Sequence, residues 1–482
     1  MAAASRGGRW ESHMRKTKII CTLGPASDGE GILEQLMLSG MDCARFNFSH
    51  GTHADHKARM DRVKSLRKKH GLHTAIMLDT KGPEIRLGKF QGGEAVLQKG
   101  QEFTFRASSG PGDATGVQIS FPRLAENVAP GARILVDDGK VAFTVTAVRG
   151  TDVVCQALNG GRLTDRKSIN LPNSDIDMPY ISEADRSDLL FGISQDVDFV
   201  AASFVRRAQD VHDLRALLRE NGGGSIRIIS KIENMRGIEN LEEIIEASDG
   251  VMVARGDLGV ETPFEEIPAI QKRVIDRCYR RGKQVVTATQ MLESMVSNPR
   301  PTRAEVSDVA NAVYDGTTAI MLSGESASGL YPVESLRAMA DIACATERSI
   351  DYRHRYIVNK LDINDDIPNA VCNCACLASF TLDVAAVIAV TRTGRTARDL
   401  SNHRPLCPII APCMDEKSCR QLSLAWGVYP ILAEEQFNTD KLLAHAVERA
   451  KETGLAKSGD LVVMASAAIG QKRTDLMRIQ YI

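Results

Sequence analysis

The sequence predicts an α/β protein: eight parallel strands closed into a ring with helices outside, a small β unit inserted in it, and a second α/β unit behind it. Three observations predict this. Short apolar runs alternate with amphipathic helical stretches eight times, the alternation is interrupted once by short alternating β runs, and the pattern resets after about residue 349. Parallel neighbours need helical crossovers and a closed ring has no exposed edge, so eight such repeats specify a (β/α)8 barrel, the TIM-barrel arrangement.

The strand runs are 18–22, 42–46, 74–78, 198–202, 226–230, 250–254, 284–288 and 318–322. Helical stretches lie between them at 55–70, 183–194, 209–220, 264–281 and 303–314. Gly40, Gly71 and Gly282 stand near helix ends, where a left-handed residue closes the last turn. The interruption, 83–167, is rich in Gly, Val, Phe and Thr, with strand-like runs at 133–136 and 142–148, and reads as a small β-barrel lid inserted after the third strand. Beyond the barrel come strands at 385–390, 408–411 and 461–464, helices at 370–382 and 440–453, and a closing strand at 477–481. The expected units are an extension at 1–13, the barrel at 14–82 and 168–345, the lid at 83–167, and a C-terminal α/β unit at 346–482.

At 482 residues the chain is roughly three times the usual domain size, in keeping with several cores. Its 60 basic and 61 acidic residues give no bulk charge to attract nucleic acid or a membrane. The longest apolar runs, such as 384–390, fall far short of the roughly 20 residues of a spanning helix. Eleven cysteines without regular spacing suit a reducing compartment, so a cytoplasmic location is expected. Residues 1–13 are small, polar and aperiodic, read as a disordered extension, and Met14 offers a second start.

In such a barrel the active site forms just past the C-terminal strand ends. Here nearly every strand runs into polar residues: Arg45, Asn47 and Ser49; Asp79 and Thr80; Ser203; Lys231 and Glu233; Arg255, Gly256 and Asp257; Thr289; Ser323 and Glu325. Glu233 and Asp257 offer hard carboxylate oxygens to Mg2+ or Mn2+, while Arg45 and Lys231 can neutralise a phosphoryl group in transfer. The chain lacks a G-x-x-x-x-G-K-S/T loop and the HRD segment of protein kinases, so a kinase here is a barrel kinase.

From about Lys16 onward the chain resembles the pyruvate kinases. The resemblance is carried by TKIICTLGPAS (17–27), ARFNFSHG (44–51), LDTKGPEIR (78–86), SKIEN (230–234), VARGDLGVE (253–261), TATQMLESM (287–295), PRPTRAE (299–305) and IMLSGESASG (320–329). It implies transfer of the phosphoryl group of phosphoenolpyruvate to ADP, giving ATP and pyruvate, in glycolysis. By the same resemblance Glu233 and Asp257 hold Mg2+ or Mn2+, and Lys231 and Arg45 contact the phosphoryl group. Thr289 with the Gly256 and Asp257 amides binds the substrate carboxylate. Asn47, Ser49, Asp79 and the Thr80 carbonyl hold K+, and Glu84 stands at the position linked to K+ dependence. Asn47, His50, Arg86 and Lys167 are implied nucleotide contacts, and a homotetramer under allosteric control is expected.

The loop Thr391, Arg392, Thr393, Gly394, Arg395, Thr396 joins a strand to a helix and resembles the family's site for phosphorylated effectors. The stretch 465–474 lacks the Trp- and Gly-rich effector loop of animal and yeast-like members, although Lys472 and Arg473 supply charge there. The chain ends at Ile482, where some bacterial members carry a further domain. Cys372, Cys374 and Cys376 lack zinc-site spacing and read as core or surface thiols, and His53 and His56 as residues of a solvated helix face. Two other readings compete: a metal-dependent barrel lyase or aldolase acting on pyruvate or oxaloacetate, and a non-catalytic metabolite sensor. The lid and the cluster of Asn47, Ser49 and Asp79 argue against the first. The intact set of catalytic residue types argues against the second.

Overall fold

The computed structural model describes residues 14–172, 177–359, 361–362 and 366–482; the expected extension at 1–13 lies outside them. Eight strands form the barrel: β1 (Lys18–Thr22), β2 (Cys43–Asn47), β3 (Ala75–Asp79), β4 (Phe199–Ala202), β5 (Arg227–Ile232), β6 (Gly250–Ala254), β7 (Gln284–Ala288) and β8 (Ala319–Leu322). They pair in parallel in chain order, and β8 returns to β1 with Ala319 opposite Lys18. Nearly every strand residue is buried, because helices cover the outside and side chains fill the inside. Each strand begins and ends within two residues of its expected position.

Capping fixes where helices start. Thr52 and Asp55 form a capping box at helix His53–His70, and Thr302 and Glu305 form another at Arg303–Asp315. Gly71 closes the first of these with φ +63°.

The insertion between β3 and β4 holds a two-stranded sheet, Glu94–Leu97 with Gly161–Thr164, and a seven-stranded sheet with Ile85–Arg86 at one edge and Gly116–Gln118 at the other. The Gly88 N–H donates to Gln118 O at 2.7 Å and the Ser120 N–H to Arg86 O at 2.9 Å, so the two edges meet and the sheet curls on itself. Inside it Phe103, Phe105 and Phe143 pack with ring centroids 5.2 to 5.5 Å apart. Strand Ser168–Asn170 belongs to this sheet, so the insertion reaches past residue 167, and helix Pro332–Ser349 runs through the expected 345/346 division.

The C-terminal sheet comprises β9 (Val384–Ala389), β10 (Ile409–Cys413), β11 (Val428–Leu432), β12 (Leu461–Ser466) and β13 (Leu476–Tyr481), in the order β11-β10-β9-β12-β13. The sequence pattern missed β11 because Pro430 breaks it; the strand lies at the sheet edge, where a missing N–H is tolerated. β13 is antiparallel to β12.

This unit docks under the barrel. Leu424 joins the cluster inside the barrel, beside Ile20, Met77, Phe199 and Met252. Arg420 meets the fully buried Asp198 at 2.7 Å and Asp196 at 2.7 Å, and Gln421 donates to Asp198 O at 3.2 Å. Arg420→Met removes the main counter-charge of a buried carboxylate. It is expected to cost about 3 kcal/mol and to lower the urea midpoint of unfolding clearly, whereas an exposed pair would cost less than about 1 kcal/mol.

Candidate active site

A cleft of about 590 Å3 opens between the C-terminal ends of the barrel strands and the inserted sheet. Asp79, on β3, holds its centre. Arg45 from β2 donates Nε to Asp79 Oδ2 at 2.6 Å and Nη1 to Thr22 Oγ1 at 2.8 Å. Lys231 from β5 places Nζ 3.1 Å from Asp79 Oδ1, 2.8 Å from Ser203 Oγ and 2.9 Å from Glu233 Oε1. Ser203 Oγ in turn donates to Thr80 O at 2.6 Å. Two cations therefore share Asp79 in a buried site, and Lys231 has Glu233 as a second acidic neighbour.

Burial alone would depress the Lys231 ammonium and raise the Asp79 carboxyl. The opposite charges outweigh it, so Lys231 stays above the ordinary lysine value and Asp79 below the ordinary aspartate one. Glu233 behaves otherwise. Burial, with Asp257 adding to it, pushes its carboxyl up to about 8 against the pull of Lys231. Its Oε2 accepts the Phe204 N–H at 2.7 Å, and Phe204 adopts φ +53°. Its buried Oε1 has only the ionic contact to Lys231, with no hydrogen bond aligned along it. Asp257 lies in the first turn of Arg255–Glu261 and lines the cleft.

Asn47 and Asp79 are opposite each other on neighbouring strands, and Ser49 and Thr80 line the same wall. Asn47 Oδ1 accepts the Ser49 N–H at 3.1 Å. Glu84 is not a bare charge: Arg86 contacts Oε2 at 2.7 Å and 2.8 Å, and the carboxyl is raised by burial against that pull. His50, Arg86 and Lys167 also border the cleft. Lys167 meets Asp137 at 2.8 Å, and Asn170 of the insertion donates to Glu261 of the barrel at 3.0 Å.

The structure places the other sequence-predicted residues as follows. Gly256 and Thr289 meet past the ends of β6 and β7: the Gly256 N–H donates to Thr289 Oγ1 at 2.8 Å, and Thr289 has φ +68°. Arg255 is committed to Asp308 at 2.7 Å and to Thr289 O. Glu325 is buried and accepts the N–H groups of Leu292 and Ser323, a structural role. His56 is buried, not solvated, and stacks on Phe48 with centroids 4.2 Å apart, while His53 stacks on Phe191 and pairs with Asp188 at 2.6 Å. Cys372 and Cys376 are buried and Cys374 exposed, as thiols of core and surface.

Sequence reasoning missed Asp137 and Asp138, which border the cleft from the insertion. Their signal was the Asp-Asp-Gly turn, in which Asp137, Asp138 and Gly139 take φ +53°, +56° and +80°. The loop Thr391 to Thr396 is remote from the cleft and follows β9. Arg392 pairs with Glu435, Arg395 lies 3.6 Å from Asp399, and Thr396 Oγ1 is 2.7 Å from Thr474 Oγ1.

Comparison with known proteins agrees with this architecture. The family model "Pyruvate kinase, barrel domain" matches residues 14–336, and "Pyruvate kinase, alpha/beta domain" matches 369–480. Pyruvate kinase of Clostridium acetobutylicum is 46% identical over 472 residues, covering 97% of this chain and 100% of that protein. That of Clostridium perfringens is 48% identical over 458 residues, covering 94% and 96%. A crystal structure of a pyruvate kinase from Cryptosporidium parvum superposes with a TM-score of 0.93 at 38% identity, covering 98% of this chain and 97% of that one. A closed barrel with a charged mouth, an inserted sheet above it and near-full-length identity at this level mean that the chain belongs to the pyruvate kinase family, the glycolytic enzymes that transfer the phosphoryl group of phosphoenolpyruvate to ADP.

Proposed function

We propose that Lys231 and Arg45 carry the phosphoryl transfer by neutralising the group in flight, and that Asp79 fixes both cations for it. The supporting observation is the Lys231 ammonium, buried and held charged between Asp79, Ser203 and Glu233 at the barrel mouth. Phosphoryl transfer asks for alignment and charge stabilisation more than covalent chemistry, which this arrangement offers. The Gly256 and Asp257 amides and Thr289 take the substrate carboxylate, the Gly256 N–H exchanging Thr289 Oγ1 for it. Asn47, His50, Arg86 and Lys167 face the nucleotide, and the inserted sheet acts as a lid that brings Lys167 toward it.

The donors fit the cations this chemistry uses. Glu233 Oε1 is a buried carboxylate oxygen without an aligned hydrogen bond, and Asp257 has no hydrogen-bond or ion-pair partner among the described residues, so these two fit Mg2+ or Mn2+. A bound divalent ion supplies Lewis-acid polarisation of phosphoryl oxygens. Asn47, Ser49, Asp79 and the Thr80 carbonyl form an all-oxygen set that fits K+.

K+ activation is therefore expected, with Glu84 adding negative charge that Arg86 only partly offsets. Glu84→Lys, which supplies a cation internally, is expected to reduce the requirement. Steady-state kinetics with phosphoenolpyruvate and ADP, with and without K+, test this, and full activity in buffer free of K+ and Na+ would contradict it. A coupled assay with the same two substrates also separates the kinase from a barrel lyase or aldolase.

The Thr391 to Thr396 loop serves a phosphorylated effector in this reading, since it feeds the N-terminus of helix Arg395–Asn402 with two arginines nearby. Calorimetry with fructose 1,6-bisphosphate, glucose 6-phosphate, ribose 5-phosphate and AMP is expected to find one that loses affinity in Arg395→Met. Binding by none of them leaves the loop a turn. Homotetrameric assembly and a cytoplasmic location complete the proposal; among the described residues no helix is long and apolar enough to cross a membrane.

A further inference from the structure

The turn that follows β3 is held by a helix of the barrel wall. Helix Glu183–Ser194 starts at Ser182, whose Oγ accepts the Asp185 N–H at 3.0 Å and donates to Asp185 Oδ2 at 2.7 Å. The other oxygen of this carboxylate serves the turn: Asp185 Oδ1 accepts the Lys81 N–H at 3.1 Å and the Gly82 N–H at 3.2 Å. Asp185 is only 2% exposed, so these donors compensate a charge that burial would otherwise make costly. Three residues on, Asp188 takes the Lys81 ammonium at 2.7 Å and His53 Nε2 at 2.6 Å. Gly82 permits the close packing of the turn: with φ +74°, a Cβ there would lie 3.0 Å from Ser203 Cβ and from Phe204 Cδ2.

The Lys81 N–H and the Thr80 carbonyl belong to one peptide unit. That unit is planar and trans, so its N–H and C=O point in opposite directions, and whatever fixes the first aims the second. The Thr80 carbonyl oxygen accepts Ser203 Oγ at 2.6 Å, and Ser203 Oγ is itself 3.2 Å from Asp79 Oδ1 and 2.8 Å from Lys231 Nζ. The peptide thus hangs between two carboxylates, with its N–H on Asp185 and its oxygen on the side of Asp79. A carboxylate on the N–H also polarises the unit and adds negative charge to the carbonyl oxygen.

We propose that Asp185 is a positioning residue for monovalent-cation binding, aiming and strengthening the Thr80 carbonyl as an oxygen donor. The proposal rests on the reading of Asn47, Ser49, Asp79 and the Thr80 carbonyl as the K+ set. It adds to that set a buried carboxylate that acts through the Thr80–Lys81 peptide.

Two measurements on the full chain test it. One is the activation constant for K+ at saturating phosphoenolpyruvate and ADP. The other, without substrates, is the rise of the urea midpoint when KCl replaces tetramethylammonium chloride at constant ionic strength, which reads K+ binding to the folded state. In Asp185→Ala the activation constant is expected to rise about tenfold or more, the scale of a lost partner to a ligand, and higher K+ restores turnover. The KCl-dependent rise in midpoint shrinks with it. Asp185→Asn keeps a neutral acceptor and is expected to fall between Asp185→Ala and wild type. Ser182→Ala weakens the same helix end but leaves both amides on Asp185. It is expected to lower the midpoint in both salts and to keep the K+ constant within about twofold of wild type. A K+ constant that moves no further in Asp185→Ala than in Ser182→Ala overturns the proposal and leaves Asp185 a residue of the helix cap alone. If Asp185→Ala does not fold, Asp185→Asn is set against Ser182→Ala by the same criterion. Wild type that neither requires K+ nor gains midpoint from it overturns the K+ reading and the proposal together, whereas a K+-dependent wild type with unshifted Asp185 variants overturns the proposal alone.

Discussion

Lys231→Met is expected to lower kcat by on the order of 10^3 or more while leaving the fold intact, a loss of about 4 kcal/mol of transition-state stabilisation. The magnitude follows from position. The Lys231 ammonium is buried and touches two carboxylates and a hydroxyl, so it is held in place before substrate arrives and loses little on reorganising. Methionine keeps most of the stem's volume and removes the charge. Asp79 remains compensated by Arg45 at 2.6 Å, and Glu233, already raised by burial, takes a proton more readily once the lysine is gone. The deficit should therefore fall on kcat more than on the KM for phosphoenolpyruvate, with an unchanged near-ultraviolet dichroism spectrum. A variant with near-wild-type turnover would remove Lys231 from the chemistry.

How much of this was legible in the sequence differs between fold and site. Period and burial are local properties, so the eight barrel strands, the insertion and the C-terminal unit could be read from apolar runs and their spacing. β11 could not, because Pro430 defeats the strand pattern and its tolerance depends on lying at an edge. At the site, strand ends predicted that Arg45, Asp79, Lys231 and Glu233 converge. Which polar residues face inward was beyond reach: Arg255 and Glu325 follow strand ends equally well yet serve Asp308 and backbone amides. His56 reads as polar in a charged helix but is buried against Phe48, since helix pitch and not composition decides its face. The left-handed residues Phe204 and Thr289 leave no mark in composition, because their strain is imposed by tertiary contacts.

Glu233→Gln is expected to abolish most activity, lowering kcat/KM by on the order of 10^3, without weakening the fold. Burial, against the pull of Lys231, raises the carboxyl from 4.5 to about 8, and an amide is a close neutral copy of its protonated form. What the amide cannot do is become the anionic oxygen donor that Oε1, without an aligned hydrogen bond, is placed to be. The sign of the stability effect follows from proton counting. Between pH 4.5 and about 8 the unfolded chain has released this proton and the folded one retains it, so the group makes wild type less stable as pH rises through that window. The variant lacks the group and should lose that component of the slope, which places its urea midpoint at or above that of wild type at pH 8. Mn2+ binding, followed by the electron paramagnetic resonance of the free ion, should weaken by about tenfold or more, the scale of one lost charged ligand. Unaltered Mn2+ affinity would remove Glu233 from the metal site, whereas a fallen urea midpoint with intact affinity would make it a structural carboxylate tied to Lys231.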